Sequence, residues 1–369
     1  MKKIMKSIKI FDLQKQYSVI SKDIKKDIDK VLKSGQYILG KNVKLLENKI
    51  AKFLSINYAI SCNSGTDALI LSLKAHGINE GDEVITTPFT YFATIEAIIH
   101  VGAKPIFIDI NPHTYNINHK KIENVITRKT RALLIVHLFG QSCDMTEIKK
   151  ICKKNKLKLI EDCAQSFGAK FKSKQTGTFG DFGCFSFFPT KNLGCYGDGG
   201  IITTNSSQYA KKLQMLRNHG GLERNKHIYV GYNSRLDEIQ AAILLVKLKY
   251  IKKYINQRRA LAKVYSNTID NNKIMIPFQQ KKAFHTYNQY TIRTKNRNKL
   301  IKHLNNHGIP CSIYYPQPMY KISAIKNNYK KLNLKCCEIV SNECLSLPIY
   351  PEMDIRDAEY ISNILNSFK

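Results

Sequence analysis

The chain has 369 residues, of which 43% are hydrophobic and 24% charged, a composition that is typical of a folded globular protein and excludes a disordered one. This length predicts a large domain and a smaller one. Residues 1–13 are basic but contain no apolar signal-peptide core, and the longest strongly apolar runs, such as residues 241–246, are too short to cross a bilayer. We therefore expect a cytoplasmic protein that does not associate with membranes. The formal net charge of +31 is unusual and is taken up below.

The predicted elements alternate along the first two thirds of the chain. Apolar spacing predicts a helix over residues 43–54 and further helices over residues 94–101 and 146–154. Short β-rich runs predict strands over residues 58–62, 83–87, 105–110, 132–137, 157–161, 183–187 and 201–204. Strands that alternate with helices indicate an α/β fold with a mostly parallel sheet.

The pattern changes after Asn233. Residues 236–254 are predicted to form one long helix, and the remainder mixes short strands with a proline-rich stretch at residues 310–318. We place the domain boundary near residue 250, giving a large domain over residues 1–250, whose first 35 or so residues could pack elsewhere, and a small C-terminal domain over residues 251–369.

The first candidate functional segment follows the strand at residues 58–62. It reads Asn63-Ser64-Gly65-Thr66-Asp67 and opens a predicted helix. Free backbone N–H groups at a helix N-terminus, a glycine that allows close approach and two hydroxyls can form a phosphate-binding cup. The same residues would also serve as an ordinary helix N-cap, so this segment alone leaves both interpretations open.

Two further segments follow strands. Asp162, at the end of the strand at residues 157–161, could hold a proton on a ring nitrogen, although a surface acid is an equal alternative. Lys191 follows the strand at residues 183–187, with Ser186 five residues before it and a glycine cluster after it. A lysine in a partly desolvated pocket can lose its proton and form an imine. The carboxyl ends of parallel strands meet at one edge of a sheet, where ligands bind.

Six ordered strings carry a specific resemblance: SCNSGTDAL, TTPFTYFAT, HLFGQSCDM, LIEDCAQSFGA, FSFFPTKNLGCYGDGG and GYNSRLDEIQAA. They resemble the successive motifs of the DegT/StrS family of pyridoxal-phosphate sugar aminotransferases, over roughly residues 10 to 320. The resemblance implies a fold type I transferase whose large domain has a mostly parallel seven-stranded sheet. It also implies a homodimer with active sites shared between the subunits.

The resemblance implies a pyridoxal 5'-phosphate site. Lys191 resembles the lysine that forms the Schiff base, Asp162 resembles the partner of the pyridine nitrogen, and Gln165 resembles the residue beside the ring hydroxyl. Tyr91 stands where the family has an aromatic residue that stacks on the ring. The phosphate contacts implied are Gly65, Thr66 and Ser186 from one subunit and Asn233 from the other.

The resemblance also implies a two-stage reaction. Glutamate gives its amino group to the cofactor and leaves as 2-oxoglutarate, and the pyridoxamine 5'-phosphate form then aminates a keto sugar that is linked to a nucleotide. Lys191 would serve as the proton carrier in both stages. Amino-sugar synthesis for lipopolysaccharide or another surface glycan is the common destination of such products.

The substrate is less defined. The GCYGDGG segment is similar to members that act on 3-keto sugars, whereas 4-keto members more often read TTGEGG, so the 3-position is favoured. Arg235 would tolerate a sugar carboxylate, which makes a UDP-linked 3-oxo-N-acetylhexosamine uronate the first expectation. A neutral 3-oxo hexose, including dTDP- or GDP-linked deoxyhexoses, is the second, and a 4-keto sugar stays an alternative. Tyr314 replaces a family histidine expected to reach the sugar from the partner subunit, and Tyr315 keeps the family residue.

The charge suggests a different class of function. A net charge of +31 is compatible with a nucleic-acid-binding or regulatory protein on the same scaffold, but the lysines are spread along the chain rather than gathered into a basic stripe. A codon bias toward Lys, Ile and Asn explains the charge without a partner, so no nucleic acid is expected. The ten cysteines form no C-x-x-C and His303 and His307 lack the H-E-x-x-H pattern, so no metal site is expected either.

Overall fold

The computed structural model describes residues 8–369 and contains eleven α-helices and twelve β-strands in that range. The helices are α1 Leu13–Ser34, α2 Lys41–Leu54, α3 Gly65–His76, α4 Ala93–His100, α5 Met145–Lys154, α6 Ser207–Leu216, α7 Glu238–Leu248, α8 Ile251–Thr268, α9 Arg297–Asn306, α10 Lys335–Glu343 and α11 Ile355–Asn366. The strands are β1 Tyr58–Cys62, β2 Glu83–Thr86, β3 Lys104–Phe107, β4 Thr130–Val136, β5 Lys158–Asp162, β6 Lys170–Phe171, β7 Lys174–Gln175, β8 Phe182–Ser186, β9 Gly200–Thr204, β10 Ala283–Phe284, β11 Tyr290–Arg293 and β12 Cys344–Leu347.

Seven strands form the main sheet in the order β1-β9-β8-β5-β4-β2-β3. The pairs from β3 to β8 are parallel, and β9 runs antiparallel to both of its neighbours. The α/β fold with a mostly parallel seven-stranded sheet is therefore confirmed. The carboxyl ends of β1, β2, β4, β5 and β8 lie at one edge, which is where ligands bind in such sheets.

Alternate side chains of the strands enter different cores. On β1, Ile60 packs with α3, α4 and α6, whereas Ala59 packs with α2 and α7. On β9, Ile202 and Ile201 divide in the same way. Both faces of the sheet are thus covered by helices, as parallel sheets require, and the strands are apolar throughout.

A separate core lies in the C-terminal part of the chain. It joins β11, β12, α9 and α11 with the second half of α8, and it also takes in Ile8 from the start of the described chain. The first half of α8 contributes Ile251 and Ile255 to the core of the main sheet. Helix α8 therefore connects the two cores, and a boundary near residue 250 stays a prediction.

The single helix expected over residues 236–254 is wrong. The structure has α7 ending at Leu248 and α8 beginning at Ile251, with Lys249 and Tyr250 between them. Apolar side chains continue on both sides of the break because both helices are packed in cores, so periodicity alone could not reveal it. Among residues 8–369, no helix combines the length and the apolar character needed to span a bilayer.

Candidate active site

A cavity of about 430 Å³ opens at the carboxyl edge of the main sheet. Its wall is built from the loops that follow β1, β2, β5 and β8 and from a segment of the C-terminal part of the chain. Nine of the residues singled out from sequence line it: Gly65, Thr66, Tyr91, Asp162, Gln165, Ser186, Lys191, Tyr314 and Tyr315. The fold thus brings together residues that are up to 250 positions apart in the sequence.

The loop after β1 forms a cup at the N-terminus of α3. The Ser64 hydroxyl caps the helix by accepting the Asp67 N–H at 3.0 Å. A Cβ on Gly65 would lie 2.6 Å from the Cβ of Ser186, so only glycine lets β8 come this close. Gly65, Thr66 and Ser186 all line the cavity beside the N-terminus of α3, where the positive end of the helix dipole suits an anion.

Asp162 lies at the end of β5, buried in the cavity wall. Its Oδ1 accepts the Ala164 N–H at 3.0 Å and its Oδ2 accepts the Thr94 hydroxyl at 2.8 Å. Burial raises the pKa of Asp162, while these two hydrogen bonds and the charge of Lys191 act in the opposite direction. Each carboxylate oxygen keeps a further lone pair for a donor in the cavity.

Lys191 enters the cavity from the loop after β8. Burial lowers the pKa of its ammonium, and the Asp162 charge opposes that effect. The loop is fixed by hydrogen bonds from the Lys191 N–H to the Phe188 carbonyl at 2.9 Å and from the Asn192 side chain to the Phe167 carbonyl at 3.2 Å. A partly desolvated amine held beside a carboxylate is suited to imine formation, in the way that solvated surface lysines are not.

Gln165 uses both ends of its amide. Its Oε1 accepts the Phe139 N–H at 2.7 Å and its Nε2 donates to the Tyr315 hydroxyl at 3.0 Å. The Tyr91 and Tyr315 rings lie 6.4 Å apart on the same wall, and Tyr91 is 65% exposed. Two aromatic rings and one amide side chain thus form this part of the cavity wall.

The expectation that Tyr314 reaches the site from a partner subunit is wrong, because Tyr314 lines the cavity of its own chain. The segment over residues 312–319, which contains Tyr314, is held in the cavity wall by hydrogen bonds at both of its ends. Ser312 exchanges two backbone hydrogen bonds with Ser346, which lies on β12, and the Met319 N–H donates to the Pro88 carbonyl at 2.8 Å. These contacts join residues that are distant in sequence, which a motif comparison does not show.

Asn233 and Arg235 do not line the cavity of their own chain. Asn233 is exposed, and the Arg235 guanidinium donates to the Asn218 side chain at 3.2 Å. Between them, the buried Ser234 is fixed by contacts to the α3 cup.

Sequence reasoning missed several lining residues. Thr90 and Thr94 lie within a string that was quoted for the resemblance, yet only Tyr91 was selected from it; their position after β2 at the same sheet edge was the available signal. Phe188, Asp198 and Gln289 also line the cavity. Asp162, Lys191 and Asp198 are the acidic and basic residues of the lining within residues 8–369.

The carboxylate next to Asp162 is fully occupied. Glu161 accepts backbone N–H groups from Gly177, Phe179 and Gly180 at 2.7–2.9 Å. Its Oε2 also lies 2.9 Å from Nε2 of His137, which carries the proton because Nδ1 accepts the Cys143 N–H. His137, Glu161 and Cys163 bring atoms that can bind a metal within 4.8 Å of one another, but the lone pairs of Glu161 and of Nδ1 of His137 are already used in these hydrogen bonds.

The fold and the cavity together are typical of one class of protein, the α/β transferases that carry a lysine near a buried carboxylate at the carboxyl edge of the sheet. Residues 18–366 match the DegT/DnrJ/EryC1/StrS aminotransferase family, and the chain belongs to that family. It is a sugar-nucleotide aminotransferase.

Three relatives illustrate the range of the family. The chain is 41% identical to a UDP-2-acetamido-2-deoxy-3-oxo-D-glucuronate aminotransferase of Pseudomonas aeruginosa, over 98% of this chain and 100% of that one. It is 40% identical to a dTDP-3-amino-3,6-dideoxy-alpha-D-galactopyranose transaminase of Aneurinibacillus thermoaerophilus, over 98% and 99% of the two chains. It is also 40% identical to a pleiotropic regulatory protein of Geobacillus stearothermophilus, over 98% of both.

A solved structure of a relative carries a cofactor. NtdA from Bacillus subtilis, solved with bound cofactor PMP, superposes with a TM-score of 0.92 at 31% identity, covering 99% of this chain and 85% of that one.

Proposed function

We propose that the chain is a pyridoxal 5'-phosphate enzyme that transfers the amino group of glutamate to the 3-position of a UDP-linked 3-oxo-N-acetylhexosamine, with the uronate as the first substrate to test. The observation that carries the proposal is the placement of the Lys191 amine and the Asp162 carboxylate in one cavity beside the α3 cup. The proposed substrate follows the Pseudomonas relative.

The residues of the cavity fit this cofactor. A phosphate suits the cup of Gly65, Thr66 and Ser186, where a Cβ on Gly65 would collide with Ser186. An aromatic ring suits the wall that carries Tyr91, and a ring nitrogen suits the free lone pair of Asp162. The bound PMP of the Bacillus relative supports the same choice.

When bound, the cofactor supplies an electron sink for charge that develops at the reacting carbon. Asp162 keeps the proton on the ring nitrogen, which a buried and doubly hydrogen-bonded carboxylate can do. Lys191 would hold the cofactor aldehyde; its amine, once free, would remove a proton from the donor carbon in the first stage and deliver a proton to the sugar carbon in the second. The lowered pKa of Lys191 favours the neutral amine that the first of these steps requires.

We further propose a homodimer with shared sites. Within one chain the cup offers neutral donors, and Lys191 is the cavity's basic residue within residues 8–369. Asn233 is exposed to solvent, and so are nearby apolar side chains, including Val230 at 97% exposure. An exposed apolar patch of this kind is typical of a protein interface. A second subunit that covers this surface could bring its Asn233 to the cofactor phosphate and its Arg235 to the sugar.

A second candidate substrate is a neutral 3-keto sugar, which the Aneurinibacillus relative favours at nearly the same identity. The two candidates differ by a carboxylate. Within residues 8–369 the cavity lining of one chain holds Asp162 and Asp198 but no arginine, so we propose that the Arg235 side chain of a second subunit binds that carboxylate.

The test uses the reverse reaction with 2-oxoglutarate and two amino sugars, a UDP-linked 3-amino-N-acetylhexosamine uronate and its neutral counterpart. We expect the wild-type protein to prefer the uronate. Arg235→Gln should lower kcat/KM for the uronate roughly tenfold to a hundredfold more than for the neutral sugar, as expected for a lost hydrogen bond to a charged group. Arg128→Gln, at an exposed site, is the control. Activity with the neutral sugar alone would exclude the uronate.

A further inference from the structure

Ser234 lies between two residues that do not line the cavity of their own chain, Asn233 and Arg235, and it is itself 1% exposed. Its hydroxyl donates to Oδ2 of Asp67 at 2.6 Å and accepts the Asn63 N–H at 3.3 Å. A hydroxyl that both donates and accepts is fixed in direction, and its carboxylate partner makes the first bond a strong one. The arm, which we define as residues 231–235, is therefore anchored at Ser234.

The anchor lies on the phosphate cup. Asn63 and Asp67 bracket the residues Ser64, Gly65 and Thr66, which line the cavity, whereas Asn63 and Asp67 do not line it. The Asp67 N–H is bound by the Ser64 hydroxyl at 3.0 Å. One helix N-terminus thus presents the cup on one side and holds the arm on the other.

Two backbone hydrogen bonds complete the anchor. The Ser234 N–H donates to the Arg217 carbonyl at 2.9 Å, and the Tyr232 N–H donates to the Leu216 carbonyl at 2.7 Å. Arg217 is in turn fixed by the Glu47 carboxylate and the Ser61 carbonyl. With the backbone fixed on either side, Asn233 projects from a rigid base.

We propose that Ser234 is a positioning residue for the cofactor site of the partner subunit: through Asp67 and Asn63 it uses the cup of its own chain as the base from which Asn233 reaches the other site. The inference rests on the proposed shared site and adds a link between the two sites. In that arrangement the N-terminus of α3 in each subunit binds the cofactor phosphate of its own site. It also holds the arm whose Asn233 reaches the cofactor phosphate of the other site.

The test compares two hybrid dimers. In the first, one subunit carries Ser234→Ala and keeps Lys191, and the other carries Lys191→Ala and keeps Ser234. In the second, one subunit is wild-type and the other carries both substitutions. Each hybrid has one Lys191 and one Ser234→Ala chain, so a folding defect would affect both alike. The measurement is a titration with pyridoxal 5'-phosphate, followed by the visible absorbance of the Lys191-linked cofactor.

We expect the first hybrid to bind the cofactor as tightly as a Lys191→Ala hybrid with no change at Ser234, because the intact arm completes its only lysine site. The second hybrid should bind roughly tenfold more weakly, the size expected for one lost hydrogen bond to a charged group. The matched control is the second hybrid with Ser72→Ala in place of Ser234→Ala, which should bind the cofactor normally. Ser72 is also buried, on α3, but its hydroxyl contacts the Ala68 carbonyl and the Cys184 sulfur within the core.

Weakening of the first hybrid instead of the second would show that Ser234 acts on its own cup and would overturn the inference. Equal weakening of both, or of neither, would overturn it as well. Absence of lysine-linked absorbance in the wild-type protein would instead contradict the proposed function on which the inference rests.

Discussion

The Asp162 carboxylate depends on a chain of two threonine hydroxyls. A carboxylate can only accept, so the Thr94 hydroxyl must donate to Asp162, and the Thr90 hydroxyl, 2.8 Å from Thr94, must then donate to Thr94. Both threonines are buried. The Thr94 hydrogen bond offsets part of the pKa rise that burial causes in Asp162. In this buried site the Thr90 bond polarises the Thr94 hydroxyl and reinforces that hydrogen bond.

Thr94→Val should weaken the site while conserving the shape of the side chain. With one donor lost, the pKa of Asp162 should rise further, and a less charged carboxylate holds a protonated ring nitrogen less firmly. We expect about tenfold weaker binding of pyridoxal 5'-phosphate, measured by visible titration, since a hydrogen bond to a charged group is worth about 1.5–3 kcal/mol. Thr94→Ser keeps the hydroxyl and should bind like the wild-type protein. Equal weakening in both variants would contradict the role of the hydroxyl.

The position of a site residue was predictable from sequence where the residue lies at the carboxyl end of a strand or in the loop that follows it. Asp162 ends β5, and Gly65 and Lys191 come within five residues of the ends of β1 and β8, so parallel strands bring the three together whatever the details of packing. The contacts of Thr94 with Asp162 and of Tyr315 with Gln165 were not predictable in this way. They join side chains 68 and 150 positions apart, and they depend on how α4 and the segment after α9 pack.

At the scale of elements, helix α7 carries a buried charge. Lys247 is 2% exposed, and its ammonium lies 4.7 Å from the centre of the Tyr196 ring. Burial lowers the pKa of Lys247 to about 8, although Cys195 and Glu352 act to raise it. The ammonium is therefore less stable in the fold than in the unfolded chain.

Lys247→Met should stabilise the protein near neutral pH. Below pH 8 the lysine is charged in both states and its burial costs the fold in full; as the pH rises from about 8 toward 10.4, the unfolded chain binds more protons and the wild-type protein gains stability. We expect the variant to raise the free energy of unfolding at pH 7 by about 3 kcal/mol, because the pKa of Lys247 falls from about 10.4 in the unfolded chain to about 8 in the fold and a pKa unit corresponds to about 1.4 kcal/mol.

The measurement is urea unfolding of the apoprotein at pH 7 and pH 10, and the gain should shrink at the higher pH. Lys249→Met, at an exposed position one residue after α7, is the control and should change little. A gain that is equal at both pH values would show that packing, not charge, is responsible.

Element prediction succeeded for the strands of the main sheet and for helices α2, α4 and α5, whose predicted bounds lie within two residues of the observed ones. The predicted strands match β1 exactly in its bounds and the others within a few residues, because buried parallel strands are short apolar runs between helices. Helix α1, by contrast, was not predicted. It buries Ile20 and Ile24 against Ile243 and Val246 of α7, a pairing that residues distant in sequence decide.

At the scale of the whole molecule, the basic charge and the chemistry are separate. The chain has a net charge of +31, with lysines throughout, yet within residues 8–369 Lys191 is the lysine that lines the cavity. The fold selects this lysine: a parallel sheet places the end of β8 beside the end of β5, so that Lys191 lies in the cavity, where burial lowers the pKa of its amine. The central claim is that the cofactor is attached to this lysine.

The most direct test is to treat the pyridoxal 5'-phosphate-loaded protein with borohydride and map the reduced adduct by peptide mass spectrometry. The account predicts loss of the visible absorbance and one stoichiometric adduct on the peptide that contains Lys191, with none in Lys191→Ala. An adduct spread over exposed lysines, or one that persists in Lys191→Ala, would contradict it.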